Sequence, residues 1–257
     1  DLLPRHDLRR AATAEAEASG PGGAAQGDAG QLPLAVAHLV HRDVEDLGGL
    51  VAGDAAVEEV GGDEHLGLAA LEPARGETGC AKRYGFGLYR AGNYDELIDH
   101  PVEMGRFTLA HFDACGVAHD VVITGRHDCD LERLTTDLKR ICEWQIRFFG
   151  EPAPMSRYVF LVTAVGDGYG GLEHRASTAL LCSRNDLPYP GMAGLPESYR
   201  TFLGLCSHEY FHTWNVKRIK PAAFVPYDLS REGYTRLLWA FEGFTSYYDD
   251  LVLIRSG

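Results

Sequence analysis

Every one of the 26 phenylalanine, tyrosine and tryptophan residues in this 257-residue chain lies at or beyond Tyr84. Aromatic side chains supply much of the area that a core removes from water. A stretch without them has little to set against the entropy lost on folding. Residues 1–83 combine that lack with 30 Gly and Ala, 15 acidic residues and 7 basic ones, so they carry −8 of the net charge of −13. The composition predicts a disordered or loosely structured segment without strand-like alternation. Patches at 32–40 and 47–60 could form short helices, but Gly20-Pro21-Gly22-Gly23 and Gly61-Gly62-Asp63 interrupt the run.

After Tyr84 the pattern changes. Residues 106–114 alternate, with Phe107 and Leu109 on one side and Ala110, Phe112 and Ala114 on the other, which predicts a strand. The β-branched run Val121-Val122-Ile123-Thr124 predicts a second strand over 117–124. Asp130 is placed to cap a helix whose Leu131, Leu134, Leu138, Ile141 and Gln145 recur at three- and four-residue steps, with Pro152 and Pro154 ending it. Residues 158–165 are almost continuously apolar and read as a strand covered on both faces. A glycine-rich turn at 166–171 leads to an extended segment over 172–183. A helix is predicted over 197–216 and another from about Tyr234 to the end of the chain.

The charge and composition narrow the function. A net charge of −13 repels phosphate backbones and argues against a nucleic-acid partner. The longest apolar stretches fall well short of the ~20 residues of a membrane-spanning helix. The first residues show no basic region followed by an apolar one, so no secretory signal is expected. The six cysteines form no C-x-x-C pair and read as reduced thiols of a cytoplasmic protein.

The chemistry concentrates in His208-Glu209-Tyr210-Phe211-His212. On a helix, positions i and i+4 lie one above the other, so both imidazoles can reach one Zn²⁺ at ~2.0–2.1 Å. Glu209 sits one step from the first histidine, where it can reach a water as general base rather than bind the metal. Two histidines leave such a site one protein ligand short. Glu242, in Trp239-Ala240-Phe241-Glu242-Gly243-Phe244, is a carboxylate among apolar neighbours, where an acid is costly unless it is paired, metal-bound or wet. Lys217, Arg218 and Lys220 read as cations near a helix C-terminus. Asp95, Asp99, His100 and Glu103 read as solvated loop and inter-domain hydrogen-bonding groups. Tyr169, Tyr234, Tyr247 and Tyr248 are candidates to stabilise an oxyanion, with packing as the plainer role.

The stretch HEYFHTWNVKRIKP at 208–221, together with WAFEGFTSYY at 239–248, resembles the glycyl aminopeptidase family of gluzincin, thermolysin-like zinc metallopeptidases. Residues 94–105 resemble the same family. The resemblance runs from about Tyr84 to Gly257. It implies an α+β fold in which 84–130 is the end of an N-terminal β domain and 131–257 the first part of the catalytic domain. A helical half and a PDZ domain are expected to follow, and the helical half holds the usual transition-state-stabilising side chain. The resemblance implies His208, His212 and Glu242 as zinc ligands and Glu209 as catalytic base. Gly170-Gly171-Leu172-Glu173-His174 resembles the exopeptidase strand of aminopeptidase N, which implies that Gly171 and Glu173 bind substrate and that Glu173 captures the free α-amino group. The expected partners are peptides with a free N-terminus, with Gly or Ala removed. The alternatives are a zinc-binding but inactive fragment and a non-catalytic interaction module.

Overall fold

The computed structural model describes residues 84, 85, 87–228 and 230–257, together with the backbone of three short strands before them. The strands are β1 (Asp54–Val57), β2 (His65–Leu68), β3 (Glu72–Pro73), β4 (Gly87–Arg90), β5 (Val102–Gly105), β6 (Phe107–Ala114), β7 (Val117–Gly125), β8 (Arg157–Val165), β9 (Tyr169–Glu173) and β10 (Ser177–Ser183). The helices are α1 (Tyr94–Ile98), α2 (Leu131–Phe149), α3 (Glu197–Phe211) and α4 (Leu238–Ser256).

Five strands form the sheet that organises the site, in the order β6-β7-β8-β10-β9. β6 and β7 are a hairpin whose turn residues Cys115 and Gly116 have φ of 48° and 77°. Two positive φ values are what a tight hairpin needs to match the twist of its strands. β7, β8 and β10 run parallel, and β9 returns antiparallel along β10 to form one edge. The sheet is mixed and helices pack on it, so the chain is α+β, as expected. Side chains alternate between two cores. Val121, Tyr158, Phe160 and Leu180 join α2 and α3, whereas Val122, Val159 and Leu161 form a smaller cluster with Phe107 and Leu109.

The expected boundary at residue 130 falls between β7 and β8, which are paired along their length in this one sheet. Three short strands lie before Tyr84, in a stretch whose sequence lacks strand-like alternation. β1 and β3 flank β4 in a three-stranded sheet, and β2 pairs with β5. The strand Asp54–Val57 lies within the patch at 47–60, where the sequence allows a short helix. Ladder hydrogen bonds join backbone groups, so a strand without aromatic residues can still pair with one supplied from beyond Tyr84. The remaining expectations for residues 1–83, including the helix at 32–40 and the loose structure, lie outside the described residues.

The helices follow their sequence signals except at their ends. Asp130 caps α2 by accepting from the Arg133 N–H at 3.1 Å, and Leu134, Leu138, Ile141 and Gln145 face the core. Gly150, at φ 100°, stops the helix before the two prolines. α3 ends at Phe211 rather than 216. Beyond it, Lys217 N–H turns back to the His212 carbonyl at 3.1 Å, and Val216 takes φ 114°. α4 starts at Leu238, four residues after the expected Tyr234. The extended segment expected over 172–183 is two strands, with β9 taking up part of the glycine-rich turn. No helix among the described residues is long and apolar enough to cross a membrane.

Candidate metal centre

α3 is buried on most sides in its second half, where Leu205, Cys206, Ser207, Glu209, Tyr210 and Phe211 are all inaccessible. A helix that is apolar nearly all round belongs inside a fold. His208 and His212 emerge from it toward α4. Their Nε2 atoms lie 3.1 Å apart, and the Glu242 Oε2 atom is 3.3 Å from His208 Nε2 and 3.6 Å from His212 Nε2. Bond lengths of ~2.0–2.1 Å in a tetrahedron put donor atoms ~3.3 Å apart, so the spacing of these three atoms suits one ion. They are a group of His and Glu side chains that could hold a metal. His212 is 3% exposed, His208 20% and Glu242 48%, so the group opens toward solvent on the Glu242 side.

Each imidazole is fixed through its other nitrogen. His208 Nδ1 lies 2.8 Å from Asp249 Oδ2, and His212 Nδ1 lies 2.8 Å from the Asn215 carbonyl. Such partners set the tautomer and the ring orientation of a ligating histidine. Asn215 also reaches across to α4. Its Nδ2 donates to the Phe241 carbonyl at 3.0 Å and to Thr245 Oγ1 at 3.1 Å, while Thr245 donates to the same Phe241 carbonyl at 2.7 Å. One turn away, Ser207 Oγ donates to the Asp249 carbonyl at 3.2 Å. Buried Gln145 of α2 donates to both the carbonyl and the Oγ of Ser207. These bonds hold α4 so that Glu242, one residue after Phe241, meets the histidines.

Electrostatics match the geometry. Burial would push the His208 imidazole down, but hydrogen bonds to Asp249 and Glu242 carry it up to about 10. Burial works against ionising Glu242, yet its hydrogen bonds to His208 and His212 hold it down at about 2. Burial raises Glu209 to about 7, against the pull of both histidines.

Glu209 is not one of the three converging donors and lies against β9. A Cβ at Gly171 would come within 2.3 Å of Glu209 Oε1 and 2.6 Å of its Cδ. Gly171 is therefore a position of close approach, where any side chain would displace the carboxylate. Two residues on, Glu173 Oε1 is 3.9 Å from Lys217 Nζ, which also pairs with Asp99 at 3.0 Å. Asp99 accepts from the Arg175 N–H at 3.0 Å and meets His174 Nδ1 at 3.3 Å. Lys217 is thus an ion-pair partner rather than a cation left to a helix end. Arg218 likewise donates to the carbonyls of Thr213, Pro154 and Arg175. Sequence reasoning missed Asp249, Asn215 and Thr245. Asp249 lies seven residues after Glu242, two turns along the same helix face, and that spacing was the available signal.

Two imidazoles and a carboxylate carried by two helices beside a mixed sheet form a group that could hold a metal ion. Residues 201–257, which hold all three donors, match the family model described as M61 glycyl aminopeptidase. A solved structure of an aminopeptidase N family protein from Idiomarina loihiensis is 48% identical, with a TM-score of 0.70 over 76% of this chain. Both findings support the M61 family. This chain spans 32% of the length of that structure. No curated protein matches.

Proposed function

We propose that this chain holds a zinc ion at His208, His212 and Glu242 and takes part in aminopeptidase chemistry, releasing N-terminal residues such as Gly or Ala from peptides. The observation that carries the reading is the convergence of three donors with tetrahedral spacing beside a second acid, Glu209, that is kept out of the donor set. A nitrogen-nitrogen-oxygen donor set suits zinc, and the M61 match and the aminopeptidase neighbour support peptides as the substrate class. When bound, zinc supplies Lewis acidity toward a peptide carbonyl and lowers the pKa of a water. Glu209 accepts the proton of the attacking water and passes it to the departing amine. Glu173 pairs with the ammonium of the substrate N-terminus through a charge-assisted contact and so fixes which bond is cut. Gly171 leaves the space that the Glu209 carboxylate needs.

The test separates ligand from base. Zinc stoichiometry is measured beside hydrolysis of alanyl and glycyl anilides. Replacing His208→Ala is expected to lose the metal. Glu209→Gln keeps size and polarity, so zinc is expected to stay while turnover falls by at least ~10²–10⁴-fold, the usual worth of general-base assistance. Near-normal turnover in Glu209→Gln, or loss of zinc as complete as in His208→Ala, would overturn the assignment.

A further inference from the structure

The edge strand β9 presents a row of three residues to the site. Alternate positions of a strand share a face, so Tyr169, Gly171 and Glu173 point the same way, with about 13 Å between the ends at ~3.3 Å per residue. That face is identified at Gly171, whose missing Cβ would strike the Glu209 carboxylate. Glu173 lies toward Lys217 and acts electrostatically on His212 and Glu209. Tyr169 occupies the opposite end. Its phenol is close enough to Asp249, Glu209 and Asp250 to feel their charge, and the residue is 60% exposed. One long edge of β9 pairs with β10, and among the described residues the other edge has no strand partner.

We infer that Tyr169 is a specificity-determining residue that receives the side chain on the leaving side of the scissile bond and favours an aromatic or bulky apolar one. The inference rests on the peptidase reading above. An extended peptide can add to a free sheet edge through its main chain, with its side chains sorted by what the edge strand presents. If its amino terminus is held at Glu173, the bond to be cut lies near Gly171 and Glu209. The next residue then runs toward Tyr169. Gly170 and Gly171 put no side chain in that path. The exposed ring offers an apolar face, and the negative charge that Asp249, Glu209 and Asp250 exert on its phenol disfavours an acidic residue there.

The experiment is calorimetric binding of two phosphinic dipeptide analogues, glycyl-phenylalanine and glycyl-alanine, to the zinc-loaded chain, with zinc content measured for every variant. The unsubstituted protein is expected to prefer the phenylalanine analogue by about 2- to 10-fold, the worth of one aromatic pair. Tyr169→Ala is expected to erase that preference without changing affinity for the alanine analogue, and Tyr169→Phe to retain it. An unchanged preference in Tyr169→Ala, no preference in the unsubstituted protein, or equal weakening of both analogues overturns the assignment of Tyr169 and leaves the peptidase reading standing. Binding of neither analogue to zinc-loaded, unsubstituted protein overturns the peptidase reading and the assignment with it.

Discussion

Two histidines lie close to α3 and meet opposite electrostatic fates. His119, on β7, is fully buried under the helix, with Nε2 2.9 Å from the Tyr210 hydroxyl and Nδ1 2.9 Å from the Val117 carbonyl. Burial pushes its imidazole down to about 4, because neither direct partner carries a charge and the more distant Asp120 and Asp113 do not compensate. His208, on the far side of the same helix, is also largely buried, yet two carboxylates raise it to about 10. Burial penalises the imidazolium in both places, and the charge of the hydrogen-bond partner decides the outcome. The core beneath α3 therefore holds a neutral histidine as packing. The face above it holds a strongly basic nitrogen that a cation can claim in place of a proton.

The first way to break this contrast is acid. His119 titrates near 4 in the folded chain and near 6.5 when unfolded. The unfolded state therefore binds more protons between these values. The stability from keeping His119 neutral is complete above pH 6.5 and is lost as pH falls toward 4. The difference of about 2.5 pH units amounts to about 3 kcal/mol at most. Urea unfolding at pH 7 and pH 4.5 measures it. His119→Gln should flatten that part of the pH dependence, and an equally steep loss in the variant would rule out His119 as its source.

A second prediction concerns the charge above the helix. Asp249→Asn keeps a hydrogen-bond acceptor next to His208 but removes the negative charge. Zinc affinity, measured by competition with a chelating dye, is expected to drop by about 10- to 100-fold. His119→Gln, in contrast, is expected to leave zinc affinity unchanged. Equal effects of the two substitutions would erase the distinction between the two regions.

The smallest effect tests the strap between the helices. Thr245→Val removes the hydroxyl that donates to the Phe241 carbonyl and accepts from Asn215. The cost in folding stability is expected to be about 0.5–1.5 kcal/mol, because Asn215 retains its own bond to that carbonyl. Thermal unfolding with and without zinc would show whether the strap matters more to the loaded site. A larger loss of stability in the zinc-loaded protein would mean that Thr245 also orders the donors.

The sequence by itself determined what local periodicity can encode. The four-residue spacing of His208 and His212 places both rings on one helix face wherever that helix lies. The three- and four-residue steps of α2 and the Asp130 cap likewise depend only on neighbours along the chain. Helix ends were less legible. Where α3 stops depends on the turn that returns Lys217 N–H to the His212 carbonyl, and no residue pattern announces it. Strands before Tyr84 were missed because their partners, β4 and β5, lie beyond it. The meeting of Glu242 with the two histidines was decided only in three dimensions. Twenty-nine residues separate Glu242 from His212, and its direction is set by Asn215, Thr245, Ser207 and Gln145, which join three helices. The space for Glu209 at Gly171 also exists only once β9 lies beside α3. Spacing along one helix is fixed by covalent geometry, whereas the crossing of two helices and a strand is fixed by buried hydrogen bonds between residues far apart in sequence.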